Sequence, residues 1–459
     1  MVYTGHPQFV ATASDNKTLT EIIAYAHADN VPITFCGSQT SMTGASAADS
    51  GIVVPLAARA KILDIGRDTE TGAGFVITEP GVILGDLKRA VAAAGYFYPP
   101  DPTSYNEAQI GATVATNATG EDTYKYGPTR SYVSELEIID SGGKLRTLKR
   151  ERPLAQTSVK NAAGYFLGGE EIDEVIGSEG TLAVITKLKL RLLDGKGKNV
   201  FLFILPFSNF ENALKAVLNI SGNSSCRALE LIGPGAAAYF KSCQNCPEEL
   251  KTEDVFLYIK DEYENETDLN AKIESWFANL QALYTELGDA ALLERIFIAQ
   301  TAKQLEDIHA CRHHIPLKVN EDFFPLMQNG GGKVGTDWWV PLRHLQDMML
   351  WTFTESKKLA ADFKIPFLVF AHIGNGHPHW NYLTKNPEEK NRAQDFVKRQ
   401  CKRAVLYGGG VAGEHGIGKI KRDLLAIQHK PDVIAQMRAL KLKWDPNWIF
   451  GRGNILNQE

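Results

Sequence analysis

Three imidazoles fall within eight residues in His372-Ile373-Gly374-Asn375-Gly376-His377-Pro378-His379, directly after the apolar run Phe367 to Ala371. Glycines at 374 and 376 let the chain fold back, so that His372 and His379 can face one point. A second segment, Gly413-Glu414-His415-Gly416-Ile417-Gly418, adds a carboxylate and another imidazole. Two His and one carboxylate are a common ligand set for a divalent transition metal with open positions. For any single His the competing reading is a polar loop with its ring bonded to backbone.

A different chemistry is written in the first 190 residues. Gly37-Ser38-Gln39-Thr40-Ser41-Met42-Thr43-Gly44 follows a short apolar run. Such a loop lets backbone N–H groups converge on an anion while its hydroxyls add donors. It matches neither Walker A nor the dinucleotide Gly pattern. Alone it reads as a polar Ser/Thr-rich surface turn. It is joined by Pro99-Pro100-Asp101-Pro102-Thr103-Ser104, by the small-residue stretch Ile110 to Gly120, by Tyr124 to Arg130, and by Gly177-Ser178-Glu179-Gly180-Thr181-Leu182. Glycines in such segments permit close backbone approach to a flat, extended ligand.

The elements that must position these residues alternate. Thr18 to Glu21 has capping-box spacing ahead of a helical face of Leu19, Ile22, Ile23 and Ala26. Strands are predicted at Ile33 to Cys36 and Ile52 to Pro55, and a helix from Leu84 to Ala94 with Gly95 at its end. Asp194 to Lys198 reads as a linker. Beyond it come strand Val200 to Leu205, a helix opened by Ser208 and Glu211, and strands near Leu229 to Ile232 and Val255 to Lys260. The fold class expected is α+β with antiparallel strands in the second part.

Composition narrows the function classes. The chain has 459 residues, 44% hydrophobic and 22% charged, with 49 Lys plus Arg against 54 Asp plus Glu and a net charge of -5. That excludes a disordered chain and offers no global basic field for nucleic acid. The longest apolar run, Phe201 to Phe207, is far below a membrane span. No signal peptide is expected, and six Cys suit a reducing cytosol.

The order and spacing of the Gly-rich segments, together with the two His-bearing motifs, resemble the flavoprotein family that contains vanillyl-alcohol oxidase. The match is with its D-2-hydroxyacid dehydrogenase branch, and it covers nearly the whole chain. The resemblance implies a two-subdomain FAD-binding domain over 1–195, an antiparallel-sheet substrate (cap) domain over 196–410, and a segment over 411–459 that carries Glu-His-Gly and closes the active site. It implies that Gly37, Ser38, Gln39, Thr40 and Ser41 hold the FAD pyrophosphate. Pro100, Ser104, Gly111, Thr116, Asn117, Gly120, Glu179, Gly180 and Ile185 line the rest of the cofactor. The family's first loop usually reads Arg-Gly-Gly-Gly-Thr-Gly, whereas here Cys36 takes the Arg position and Ser38-Gln39 replace two glycines. The loop has no His, the residue through which some relatives attach FAD, so FAD is expected to be non-covalent.

The branch motif His-x-Gly-Asp-Gly-Asn-x-His appears here with Asn375 for the Asp and His377 for the Asn, and the ligand positions survive. The implied metal ligands are His372, His379 and Glu414, and the metal is zinc, with manganese or iron as alternatives. His377 is not counted among them. His415 is the implied base, and a neutral imidazole suits that task. Hydride would pass to flavin N5 and the product would be a 2-oxo acid. Arg312 matches the substrate Arg, whose fork binds a carboxylate bidentately. Lys333 is a second candidate, with a solvated surface Lys as the competing reading. Asn381 is expected to hydrogen-bond substrate.

The substrates in view are lactate, glycolate and 2-hydroxyglutarate. The implied partners are an electron acceptor (quinone, cytochrome, electron-transferring flavoprotein or iron–sulfur subunit) and a second copy in a homodimer. The implied location is cytoplasmic or peripheral at the inner membrane. Rival readings are an alcohol or phenol oxidase of the same fold, a non-catalytic FAD-binding subunit, and a metal-dependent hydrolase. Cys243-Gln244-Asn245-Cys246 lacks the partner pair that a zinc or iron–sulfur site needs. It is read as two incidental cysteines rather than as a redox pair.

Overall fold

The structure is a computed structural model, and residues 3–152, 154, 159–195, 199–222, 225–250 and 255–458 are described. They fall into two compact units. One comprises Met1–Gly120, Tyr126–Gly195 and Val411–Glu459, the other Glu121–Lys125 and Lys196–Gly410.

The first unit holds two sheets. Strands β1 (Phe9–Val10), β2 (Ile33–Cys36) and β3 (Ile52–Pro55) form a small parallel sheet in the order β1-β3-β2. Strands β4 (Ile62–Arg67), β5 (Gly74–Thr78), β6 (Tyr96–Phe97), β7 (Val133–Asp140), β8 (Leu145–Lys149) and β9 (Ala183–Asp194) form an antiparallel sheet, ordered β4-β5-β9-β7-β8 with β6 on β9. Strand β9 shows why: Leu188, Leu190 and Leu192 are buried while Lys187, Lys189 and Arg191 alternate outward, the period of a half-buried strand.

The helix Asn16–Ala28 lays Leu19, Ile23 and Ala26 against Ile33, Ile52 and Val54, and Ile449 and Phe450 complete the same core. Backbone bonds fix that return of the chain: Ile33 N donates to Ile449 O at 2.6 Å and Gly451 N to Ile33 O at 2.8 Å. The expected capping box at Thr18 is displaced. Asp15 caps the helix by accepting from Thr18 N at 2.8 Å, so Thr18 lies in the first turn.

The second unit is built on one antiparallel sheet. Its strands are β10 (Asn199–Phe207), β11 (Cys226–Ile232), β12 (Val255–Tyr263), β13 (Phe297–Ala299), β14 (Gly332–Gly335), β15 (Phe367–His372) and β16 (His377–Thr384), ordered β13-β10-β12-β11-β15-β16-β14. One face packs Ile204, Ile232, Phe256, Tyr258 and Phe370 against Ile308, Cys311, Ile315 and Val319 of the helix Ala302–Phe323. The helix Phe210–Ile220 is capped by Asn209, which accepts from Asn212 N at 2.9 Å, and not by the expected Ser208. Residues 196–198 of the expected linker lie outside the described residues. The mixture of helices with largely antiparallel sheet is the α+β class expected from the sequence. Among the described residues, no helix is long and apolar enough to cross a membrane.

Candidate active site

In the second unit the register of one hairpin assembles the imidazoles. His372 ends β15 and pairs directly with His377, and Phe370 pairs with His379. Side chains two residues apart share a sheet face, so His372, His377 and His379 stand together. Their ring centroids are 5.8, 5.4 and 4.6 Å apart for the pairs 372–377, 372–379 and 377–379. The turn between the strands needs glycine at 376: φ is +66° and a Cβ would lie 1.9 Å from Val340 O.

The same alternation adds neighbours. On β11, Leu231 pairs with Ala371 and Ile232 with Phe370, which places Glu230 beside His372 on this face. On β14, Lys333 pairs with Leu383 and Gly335 with Asn381, which places Lys333 and Asn381 on the face of His379.

Glu230 organises this face. It is buried, and its Oε1 accepts from His372 Nδ1 at 2.7 Å while its Oε2 accepts from Arg312 Nη2 at 3.0 Å. A carboxylate accepts, so Nδ1 of His372 carries the proton and, in the neutral ring, Nε2 carries the lone pair. Asp337 does the same for His377, with Oδ1 2.9 Å from Nε2. Arg312 is 4% exposed, its guanidinium lies 5.0 Å from the Phe370 ring, and its Nε is buried with no hydrogen-bond partner. Lys333 Nζ donates to Asn320 Oδ1 at 2.7 Å above the Phe323 ring, and burial pushes its pKa down to about 8. Asn381 is buried and its Nδ2 donates to His379 O at 3.1 Å.

In the first unit two Gly-rich segments meet the short helix Ile110–Ala115, and a third contact closes on Gly120 just beyond it. A Cβ on Gly37 would lie 3.0 Å from Ala112 Cβ, one on Gly111 would lie 2.4 Å from Pro80 Cβ, and one on Gly120 would lie 1.8 Å from Asp101 O, next to the buried Pro100. Gly177 N and Glu179 N donate to Val114 O and Ala115 O at the end of this helix. Ser38, Gln39 and Thr40 are exposed on the first loop, with Gln39 at φ +58° and Ser41 Oγ 3.1 Å from Thr43 Oγ1. Ser104 O takes the amides of Glu107 and Ala108. Thr116 Oγ1 donates to Ala112 O, and Asn117 Oδ1 accepts from Arg130 N. Gly180 has open space where a Cβ would stand, and Ile185 is buried in β9.

Glu179 turns its carboxylate to the chain's last segment. It accepts from Ile417 N and Gly418 N, both at 2.7 Å, and burial, outweighing these amides, raises its pKa to about 7. Lys419 N donates to Thr43 O at 2.9 Å. The Glu-His-Gly segment is thereby tied to two of the Gly-rich loops. Glu414 Oε2 accepts from Lys160 Nζ at 3.0 Å and from Thr119 Oγ1 at 3.1 Å, and its Oε1 lies 3.3 Å from His415 Nε2. The Lys160 side chain is fully buried.

Sequence reasoning did not find Glu230, Asp337, Lys160 or Thr119. Glu230 sits in Cys226-Arg227-Ala228-Leu229-Glu230-Leu231-Ile232, where the one available signal was a carboxylate inside an apolar strand.

Residues 7–149 match the FAD binding domain family, and residues 197–455 match the family of the C-terminal domain of FAD linked oxidases. Curated relatives span nearly the whole chain. A D-lactate dehydrogenase of Anaerostipes hadrus is 28% identical, over 98% of this chain and 90% of its own. A D-2-hydroxyglutarate dehydrogenase of Stutzerimonas stutzeri is 26% identical, over 98% and 91%. Glycolate oxidase subunit GlcD of Bacillus subtilis is 27% identical, over 100% and 90%. Among solved structures, an alkyldihydroxyacetonephosphate synthase superposes with a TM-score of 0.66 at 16% identity, over 98% of this chain and 76% of that one, a likeness of fold.

The Glu230 bridge makes a stability statement. Glu230→Ala leaves the Arg312 charge buried and is expected to cost about 3–5 kcal/mol, with a similar cost for Arg312→Ala. A double-mutant cycle by urea unfolding is expected to show a coupling of roughly 0.5–3 kcal/mol. Additive costs would mean that the two groups do not depend on one another.

Proposed function

The chain belongs to the FAD-linked oxidases, and on that premise we propose that it oxidises a D-2-hydroxy acid to the 2-oxo acid with the help of a divalent metal. It is an FAD-dependent oxidoreductase of the D-2-hydroxyacid branch of the vanillyl-alcohol oxidase family. The observation that carries the substrate class is the buried face of the second unit. A guanidinium with a buried, unpartnered Nε shares one side of a sheet with three imidazoles, an amide and a lysine of lowered pKa. Such a surface suits a small anion that also carries a hydroxyl.

The residues fit a metal on chemical grounds. His372 donates Nδ1–H to Glu230 and so presents the Nε2 lone pair, the orientation that a carboxylate gives a ligating His. His379 is the second ligand and Glu414 the third, with zinc the first candidate. Lys160 and Thr119 hold Oε2 of Glu414 and fix its carboxylate. When bound, the metal supplies Lewis acidity toward the α-hydroxyl oxygen. The Gly-rich loops would hold FAD, with Gly37, Ser38, Gln39, Thr40 and Ser41 on its pyrophosphate, and FAD would supply the hydride acceptor.

The chain's own groups do the rest. Arg312 and Lys333 bind the substrate carboxylate and fix the α C–H direction. Asn381 donates to a substrate oxygen. His415, whose Nε2 lies 3.3 Å from Glu414 Oε1, takes the hydroxyl proton. An alcohol or phenol oxidase of the same fold has no use for His372, His379 and Glu414.

His415→Ala is expected to keep its flavin absorbance and to slow anaerobic bleaching by a D-2-hydroxy acid at least about 100-fold. Bleaching at the wild-type rate removes His415 from the mechanism. A second expectation concerns pH. Lys333 has a pKa lowered to about 8, so it is an ammonium below that pH and neutral above it. KM for the hydroxy acid is expected to climb as pH rises through 8, and the climb is expected to vanish in Lys333→Arg, whose charge persists. A KM profile unchanged by that substitution would place Lys333 away from the substrate.

A further inference from the structure

The Cys243-Gln244-Asn245-Cys246 turn is not isolated in the fold. It lies on the helix Ala302–Phe323 and is pinned there on both sides of Cys311. Asn245 Nδ2 donates to Asp307 Oδ1 at 2.7 Å, one turn before Cys311, and Ser242 Oγ lies 3.2 Å from His314 Nε2, nearly one turn after it. Residues 307, 311 and 314 share one helical face. Tyr239 OH, just upstream, donates to Asp322 Oδ2 at 3.0 Å further along the helix. The turn itself is tight, with Cys246 N donating to Cys243 O at 3.0 Å.

The side chain of Cys311 packs in one cluster with Cys246 and Cys243. Cys311 and Cys246 are buried in one apolar cluster, with Cys243 packed half-buried at its edge. All are thiols. The spacing of 65 residues between Cys246 and Cys311 hid this triad from the sequence.

We propose that Cys243, Cys246 and Cys311 form a peroxide-sensitive site in which a disulfide to Cys311 joins the 242–246 turn to the helix that carries Arg312. Disulfide closure needs facing Cβ atoms about 3.5–4.5 Å apart, and the pinned turn packs Cys243 and Cys246 in the same cluster as Cys311. The half-exposed Cys243 reacts first. Its thiolate attacks one oxygen of hydrogen peroxide, the S–O bond forms, the O–O bond breaks, and the departing oxygen leaves as water after taking a proton. Hydrogen bonding to Cys246, then burial, push the Cys311 thiol far above the usual range, so it is held as S–H and is not the first to react.

Cys311 then attacks the Cys243 sulfenic acid. An S–S bond forms, the S–O bond breaks, and the leaving hydroxide takes the Cys311 proton to become a second water. Two thiols lose two electrons and two protons, and one peroxide becomes two waters. Cys246 can then exchange with Cys243, drawing the link into the core. In either case the cross-link falls one residue from Arg312, whose guanidinium holds Glu230.

Full-length FAD-loaded protein treated with hydrogen peroxide, alkylated and digested with trypsin tests this directly by mass spectrometry. The expected product is fragment 242–251 linked to fragment 304–312, lost on treatment with dithiothreitol, with Cys36, Cys226 and Cys401 alkylated as in the untreated protein. Cys311→Ala is expected to lose that product and to leave a sulfenic acid on Cys243 that dimedone traps. A link confined to Cys243 and Cys246, a link through any of the other cysteines, or six alkylated thiols after peroxide would each overturn the proposal.

Discussion

One buried carboxylate sets the geometry of the imidazole-bearing sheet face. Glu230 is buried and gives one oxygen to Arg312 and the other to His372. Burying a carboxylate costs several kcal/mol unless each oxygen is matched, so the cation and the imidazole are held wherever Glu230 is held. Glu230 itself is fixed by the register of β11 against β15. A strand slip of one residue would turn it to the other side of the sheet and release both partners. The fold therefore writes the orientation of a guanidinium and of an imidazole lone pair into a strand pairing.

The first unit uses the same device in a different place. Glu414 is held by Lys160 and Thr119 through one oxygen, and Glu179 receives two successive backbone amides from the Glu-His-Gly segment. These contacts tie the last segment to the Gly-rich loops, of which the one carrying Thr119 lies within the residues that match an FAD binding domain. Acidic residues here do not face solvent as a charged surface. Each holds a neighbouring group at a fixed angle, as preorganised sites do.

What could be read in the sequence was whatever depends on short-range spacing. The hairpin His372 to His379 showed in its glycines because a tight turn with positive φ has few other solutions. Strands such as Ile33–Cys36 and Ile52–Pro55 showed in their apolar runs. What could not be read depends on pairs far apart in sequence. Glu230 lies 142 residues from His372, and Lys160 lies 254 residues from Glu414. No local pattern distinguishes such a carboxylate or lysine from a solvated one. Helix starts were misplaced for a related reason: Asp15 and Asn209 outcompeted Thr18 and Ser208 because both side chains reach the backbone amide three residues on. Cys311 belongs to the same class of long-range neighbours.

The most direct measurement is an anaerobic titration of the full-length, FAD-loaded protein with paired D- and L-enantiomers of lactate and 2-hydroxyglutarate, and with glycolate, followed by the flavin's visible absorbance. On the proposed reading at least one D acid or glycolate is expected to bleach the flavin, while the L acids leave it yellow. If dithionite bleaches the flavin but none of these acids does, or if both enantiomers do so equally, the substrate-binding role of Arg312, Lys333 and the three imidazoles is contradicted.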